Sequence, residues 1–82
     1  MTVQKSYLQF GKIVKCLRSG RGMSQEDLAN RVGLTRTSIT NIEAGRQRIL
    51  LDDVCVFARA LSISSREMAG YVFGEGVTKE KA

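Results

Sequence analysis

One face of a predicted helix carries the side chains with the clearest chemistry in this sequence. Its members are spaced i, i+1, i+4, i+5 and i+8, and they are Arg36, Thr37, Thr40, Asn41 and Ala44. Ile39 and Ile42 lie on the opposite face, and the carboxylate of Glu43 lies towards that core side. A guanidinium, two hydroxyls and an amide are groups that hydrogen-bond to the edges of DNA bases. This face therefore indicates contact with nucleic acid, and the alternative is a solvated helix surface.

Catalytic and metal chemistry find little support in the sequence. The chain has no His, the commonest general base and metal ligand. Two cysteines, Cys16 and Cys55, cannot close a structural zinc site, which needs four ligands. No phosphate-binding glycine loop or nucleophile elbow is present. We therefore expect no enzyme activity, metal or cofactor, and we interpret the cysteines as small helix-surface or core residues, with a redox switch as the alternative.

Two short helices are predicted to hold the polar face. The first of the pair opens at Ser24, with Asp27 three residues later as a capping box, and the second follows Thr35 as its N-cap. Gly33 can adopt positive φ in the turn between them. The apolar residues expected to fix the crossing by burial are Leu28, Ala29, Val32, Leu34, Ile39 and Ile42. Two short helices joined through a glycine-containing turn form the helix-turn-helix pattern, here over residues 24–43.

Three further helices are predicted around this pair. They cover residues 6–19, where Gly11 should weaken the helix slightly, residues 50–61, and a segment from Ser64 to near Phe73 with Glu67 in a second capping box. Their inner faces are Phe10, Val14 and Leu17 in the first helix, and Leu51, Val54, Phe57, Ala58 and Leu61 in the fourth. The sequence thus predicts one all-α domain of five helices over residues 1–73, followed by a flexible tail over residues 74–82.

Charge is distributed unevenly along the 82 residues, whose net charge is +5. Residues 1–48 hold nine basic and three acidic side chains, whereas residues 49–82 hold four basic and five acidic ones. The first part is therefore expected to face an anionic partner. No apolar run approaches the roughly 20 residues that span a bilayer, and no signal segment is evident at the N-terminus. These features favour a cytoplasmic protein with reduced thiols and no membrane partner.

The segment from residue 24 to residue 45 resembles the DNA-binding domain of the lambda-repressor/Cro-like (XRE) family. The matching positions are Gln25, Ala29, Gly33, Ile39 and Ile42. Leu17 and Arg18 fit the end of the family's first helix, and residues 57–61 fit its later helices. The resemblance covers roughly residues 8–72. The chain departs from the family near Ile49, where many members carry a proline, so the path of that loop stays open.

The resemblance implies a role for each matching polar residue. Gln25, Arg46 and Arg48 would bind DNA phosphates, with generic surface charge as the alternative for the two arginines. The residues expected to read bases are Arg36, Thr37, Ser38, Thr40 and Asn41, and for the first three of them a contact with the adjacent phosphate is the alternative. Arg18 and Glu43 would form a structural pair that ties the first helix to the third, with a DNA contact as the alternative.

These expectations favour a transcriptional regulator that binds a pseudo-palindromic operator in double-stranded DNA as a homodimer, with no evident small-molecule effector. A phage-type repressor and a restriction–modification controller both fit. The predicted dimer residues are Met68, Tyr71, Val72 and Phe73, because members of the family commonly pair through this end; the alternative is that they cap the core. The competing function is an antitoxin with DNA autoregulation, although the nine residues after Phe73 are few for wrapping a toxin.

Overall fold

Five α-helices form the chain in the computed structural model, which describes residues 3–73. They are α1 (Val3–Gly20), α2 (Gln25–Val32), α3 (Arg36–Glu43), α4 (Leu51–Ala60) and α5 (Ser65–Phe73). The described residues contain no strand. The predicted all-α architecture is confirmed, with α1 beginning three residues earlier than expected. The predicted flexible tail over residues 74–82 lies outside the described residues.

Local capping defines the boundaries of the two central helices. Ser24 Oγ accepts a hydrogen bond from Asp27 N at 2.9 Å, and the Asp27 carboxylate accepts one from Ser24 N at 2.9 Å. The Thr35 hydroxyl oxygen caps α3 by accepting from Ser38 N at 3.1 Å. Gly33 ends α2 in the left-handed region, with φ of 74°. The predicted caps of α2 and α3 are therefore confirmed. They could be predicted from the sequence because each bond joins residues within one turn of chain.

A single apolar core joins the helices. Its buried members are Phe10, Val14, Leu28, Ala29, Ile39, Ile42, Phe57, Ala58, Leu61, Met68 and Val72. The rings of Phe10 and Phe57 meet edge to face, with centroids 5.5 Å apart. Helix α3 packs against α1 and α2, while α5 packs against α1 and α4. The core thus supports α3 from one side and leaves its other side free.

Three predicted burial assignments are corrected by the structure. Leu34 is 38% exposed, because backbone bonds such as Leu34 N to Ala29 O at 2.9 Å fix the turn without burying its side chain. Leu51 is 81% exposed, because it occupies the first turn of α4 beside an open hollow. Met68, predicted at a dimer surface, is fully buried within the chain's own core.

Candidate nucleic-acid interface

The outer face of α3 presents the residues that the sequence analysis selected for base reading. Arg36, Thr37 and Thr40 are exposed, whereas Ser38 and Asn41 are half-buried. The Ser38 hydroxyl oxygen accepts from the Thr35 hydroxyl at 3.2 Å and thus belongs partly to the helix cap. Ile39 and Ile42 are buried on the opposite side, so α3 is amphipathic as its spacing predicts.

The carboxylate of α3 is turned away from this outer face. Arg18 Nε donates to Glu43 Oε2 at 2.6 Å and Arg18 Nη2 donates to Glu43 Oε1 at 3.1 Å, which makes a bidentate ion pair between α1 and α3. The side chains are only 12% and 5% exposed, respectively. The hydrogen bond to Glu43 raises the pKa of Arg18 above its ordinary value. Pairing on the inner side leaves the outer face of α3 without a negative charge.

A chain of hydrogen bonds extends from this ion pair to the outer face. Gln25 Nε2 donates to Glu43 Oε1 at 3.0 Å, and the Thr40 hydroxyl lies 3.1 Å from Gln25 Oε1. Arg18 Nη1 also donates to the carbonyl oxygen of Met23 at 2.8 Å, which holds the segment before α2. The side chain of Gln25, expected to bind phosphate, is therefore also engaged within the protein. The link between Gln25 and Thr40 could not be predicted from the sequence, because it depends on the angle at which α2 crosses α3.

Two exposed arginines, Arg46 and Arg48, follow α3 in the next loop. The loop is fastened to the helix by a bond from Arg46 N to the carbonyl oxygen of Asn41 at 2.9 Å. Ile49 packs against the core, so the chain reaches α4 in a defined path without a proline. Both arginines therefore follow the carboxyl end of α3 within a few residues and are exposed to solvent.

Close packing of α1 sets the position of α3. Gly11 is buried, and a Cβ at this position would collide with the carbonyl oxygens of Ile42 and Glu43. Gly45 has a φ of 75°, and a Cβ added there would collide with Leu8 of α1. Helix propensity alone predicts only that Gly11 weakens α1 slightly. Gly11 and Arg18 are seven residues apart, so both lie on the side of α1 that faces α3. This spacing is the one feature of the sequence that could have indicated the contact between Gly11 and α3.

An apolar surface remains uncovered on the side of the molecule formed by α1, α4 and α5. We call it the Leu51 surface: Leu50, Leu51 and Phe73 at its rim, with Tyr7, Phe10, Ile49, Val54 and Val72 lining the hollow between them. Leu50 is 61% and Phe73 46% exposed. Of the other predicted dimer residues, Tyr71 is exposed and its hydroxyl donates to Glu67 at 3.0 Å, while Val72 is buried at the wall of the hollow.

Further features of residues 3–73 concern potential metal ligands, the hydropathy of the helices and the cysteines. No three potential His, Cys, Asp or Glu ligands cluster within residues 3–73. None of the described helices is both long enough and apolar enough to cross a membrane. Cys16 and Cys55 are free and exposed thiols rather than core residues.

Comparison with known proteins places these features in a family. Residues 11–64 match the family described as "Helix-turn-helix domain". Control protein C.BamHI of Bacillus amyloliquefaciens is 35% identical over 65 residues, which cover 78% of this chain and 80% of that protein. The restriction–modification controller protein C.AhdI from Aeromonas hydrophila superposes with a TM-score of 0.70 at 35% identity, covering 76% of this chain and 94% of that one. The hypothetical transcription factor NHTF from Neisseria gives a TM-score of 0.72 at 28% identity, with coverage of 82% and 75%.

Proposed function

The chain belongs to the lambda-repressor/Cro-like (XRE) family of DNA-binding helix-turn-helix regulators, and on this premise we propose that it is a transcriptional regulator of the restriction–modification controller type. One observation carries the proposal. The outer face of α3 exposes Arg36, Thr37 and Thr40, while Glu43 is held inward by Arg18. A helix face that carries hydrogen-bonding groups and no carboxylate suits the major groove, where the base edges are exposed. One relative, C.AhdI, is a restriction–modification controller by name, and another, C.BamHI, is named a control protein.

Within this proposal, α3 enters the major groove and its residues divide by task. Arg36 reads guanine through a bidentate hydrogen bond, which discriminates against other bases by roughly 1–3 kcal/mol. Arg46 and Arg48, at the exit of α3, bind phosphates and fix the register on the duplex without reading sequence. Gln25 has a second amide proton besides the one directed at Glu43, and this proton is available to a phosphate oxygen.

The same proposal pairs two copies of the chain through the Leu51 surface. Leu51 projects beside an apolar hollow, so two copies related by a two-fold axis can each insert this side chain into the other. The nine residues that follow Phe73 are mainly polar and do not match an apolar hollow. In α4 and α5, Asp52, Asp53 and Glu67 outnumber Arg59 and Arg66, so these two helices add no net positive charge to the interface. Such a dimer presents two α3 helices about 34 Å apart, to successive turns of a pseudo-palindromic operator.

Selection from a random duplex library tests this function. The wild-type protein should enrich a pseudo-palindrome, and its affinity should fall steeply with salt because phosphate contacts release counterions. Arg36→Ala should relax the preference at one base pair in each half-site, whereas Arg46→Ala should weaken binding to all sequences alike. Enrichment of no motif by the wild-type protein would refute sequence-specific regulation. An unchanged motif for Arg36→Ala would refute only the role of that residue.

A further inference from the structure

The hydrogen-bond chain between α1 and α3 has a direction that the Arg18–Glu43 pair imposes. Both Glu43 oxygens accept from Arg18, at 2.6 and 3.1 Å. A carboxylate engaged by a guanidinium offers only acceptor sites to its other neighbours. Any side chain that bonds to Glu43 from α2 must therefore supply a donor.

Gln25 of α2 meets this requirement in only one orientation of its amide. Its Nε2 donates to Glu43 Oε1 at 3.0 Å. The flipped amide would place its oxygen against the carboxylate, with two acceptors facing each other. The orientation of Gln25 is thus fixed, and its Oε1 is the atom that faces Thr40.

Thr40 must then act as the donor, and this uses its single hydroxyl proton. Thr40 Oγ1 lies 3.1 Å from Gln25 Oε1 and also 3.1 Å from the carbonyl oxygen of Arg36. Both neighbours are acceptors, so the proton is directed to one or shared between them. No hydroxyl proton remains for a base. The hydroxyl oxygen keeps acceptor lone pairs, but the methyl group, staggered about 120° from the hydroxyl around the Cα–Cβ bond, is the part of this exposed side chain that can make an apolar contact with a ligand.

We propose that Thr40 recognises a thymine by apolar contact between its methyl group and the 5-methyl group of the base. Among the four standard bases, thymine is the one that presents a methyl group in the major groove. Gln25, Glu43 and Arg18 act as positioning residues, because they hold the hydroxyl away from the base. The inference rests on the proposed function, since it requires α3 to lie in the major groove, and it replaces the hydrogen-bonding role that the sequence suggested for Thr40.

Replacing thymine by deoxyuridine in the selected operator is the direct probe, since the two bases differ only in the 5-methyl group. Each thymine is replaced in turn, and binding is measured by titration. Wild-type protein should lose affinity about fourfold at one thymine in each half-site, as expected for the loss of one buried methyl contact. Replacement in both half-sites should cost about fifteenfold.

Two variants separate the methyl group of Thr40 from its hydroxyl. Thr40→Ser keeps the hydroxyl and should bind thymine and uracil operators equally at that position. Thr40→Val keeps a methyl group in a side chain of the same shape and should retain the fourfold preference. Thermal unfolding by circular dichroism checks that both variants fold.

The outcomes distinguish this inference from the function on which it rests. A wild-type protein that selects a motif but tolerates uracil at every position overturns the methyl contact and leaves the regulator intact. A preference for thymine that persists in Thr40→Ser assigns the contact to another residue and also overturns it. Loss of the preference in Thr40→Val, which keeps a methyl group in a side chain of the same shape, would likewise overturn the methyl contact. Absence of any selected motif overturns both proposals.

Discussion

The junction between α1 and α3 and the Leu51 surface differ in how completely one chain satisfies them. At the junction, Gly11 lets two backbones approach closely, and the Arg18–Glu43 pair is largely shielded from solvent, with side chains 12% and 5% exposed. At the Leu51 surface, Leu51 is 81% and Phe73 46% exposed beside an apolar hollow. The polar groups of the junction are therefore paired within a single chain, whereas apolar side chains of the Leu51 surface remain exposed to solvent.

This difference indicates that the junction is stabilised by contacts within one chain, whereas the proposed role of the Leu51 surface requires contacts with a second chain. The placement of α3 depends on backbone shape and on a hydrogen-bonded ion pair, both of which are internal to the monomer. The Leu51 surface, in our proposal, becomes stable only when a second copy covers it, because exposed apolar area of this kind drives association. Substitutions should therefore affect folding at the first region and assembly at the second.

The largest effect on folding is expected from Gly11→Ala. The added Cβ would overlap the carbonyl oxygens of Ile42 and Glu43, which are backbone atoms and cannot rotate away. We expect a loss of about 3 kcal/mol in the free energy of unfolding, towards the upper end for overpacking. Urea unfolding followed by circular dichroism measures it.

Gly70→Ala in α5 is the matched control for that substitution. A Cβ at Gly70 meets nothing within 4 Å, so alanine there should stabilise the helix by roughly 0.5–1 kcal/mol. Opposite signs at the two glycines would confirm that close approach, rather than helix propensity, determines the junction. A small effect at Gly11 would mean that α1 can withdraw from α3 at little cost.

The next largest effect, on assembly, is expected from Leu51→Glu. A charge on this exposed side chain should leave the stability of the monomer within about 0.5 kcal/mol. It should prevent pairing and reduce operator affinity about a hundredfold, because the two half-sites no longer bind cooperatively. Sedimentation equilibrium and operator titration measure the two quantities.

Val56→Glu provides the comparison on the same helix. Val56 is 43% exposed but does not line the hollow, so this variant should remain dimeric. If Leu51→Glu stays dimeric, or if both variants dissociate equally, the Leu51 surface is not the specific interface.

The two regions also differ in how far the sequence predicts them. The Ser24 and Thr35 caps follow from residue types three positions apart, and the structure contains both. The exposure of Leu51 could not be predicted, because helical periodicity assigns a face but not whether another helix covers that part of it. The importance of Gly11 and the link from Gln25 to Thr40 likewise depend on interhelical distances, which single-helix patterns do not contain.

A smaller loss is expected when the ion pair at the junction is broken by Glu43→Gln. The amide keeps the shape of the side chain but removes the acceptor charge from Arg18, so unfolding should become easier by about 2 kcal/mol. Because the pair is largely shielded from solvent, this loss should change less between low and high salt than DNA binding does. Glu26→Gln, at an exposed position of α2, should cost far less. Equal losses for both variants would place the pair in the class of weak surface bridges.

The smallest effect on stability should come from the capping box at the start of α2. The box is exposed to solvent and belongs to the helix that packs against α3. Hydrogen bonds from Ser24, first of all from its backbone N–H, hold the pKa of Asp27 below its ordinary value of 3.8. A carboxyl group whose pKa is lower in the folded state contributes stability above its unfolded pKa and loses it as the pH falls through the folded value. Between pH 5 and pH 3, wild-type protein should therefore lose more stability than Asp27→Asn. Ser24→Ala keeps the backbone donor and should retain most of this pH dependence while being less stable at both pH values. Identical pH profiles for wild-type protein and Asp27→Asn, measured by chemical denaturation, would show that the charge of Asp27 contributes no stability to the folded state.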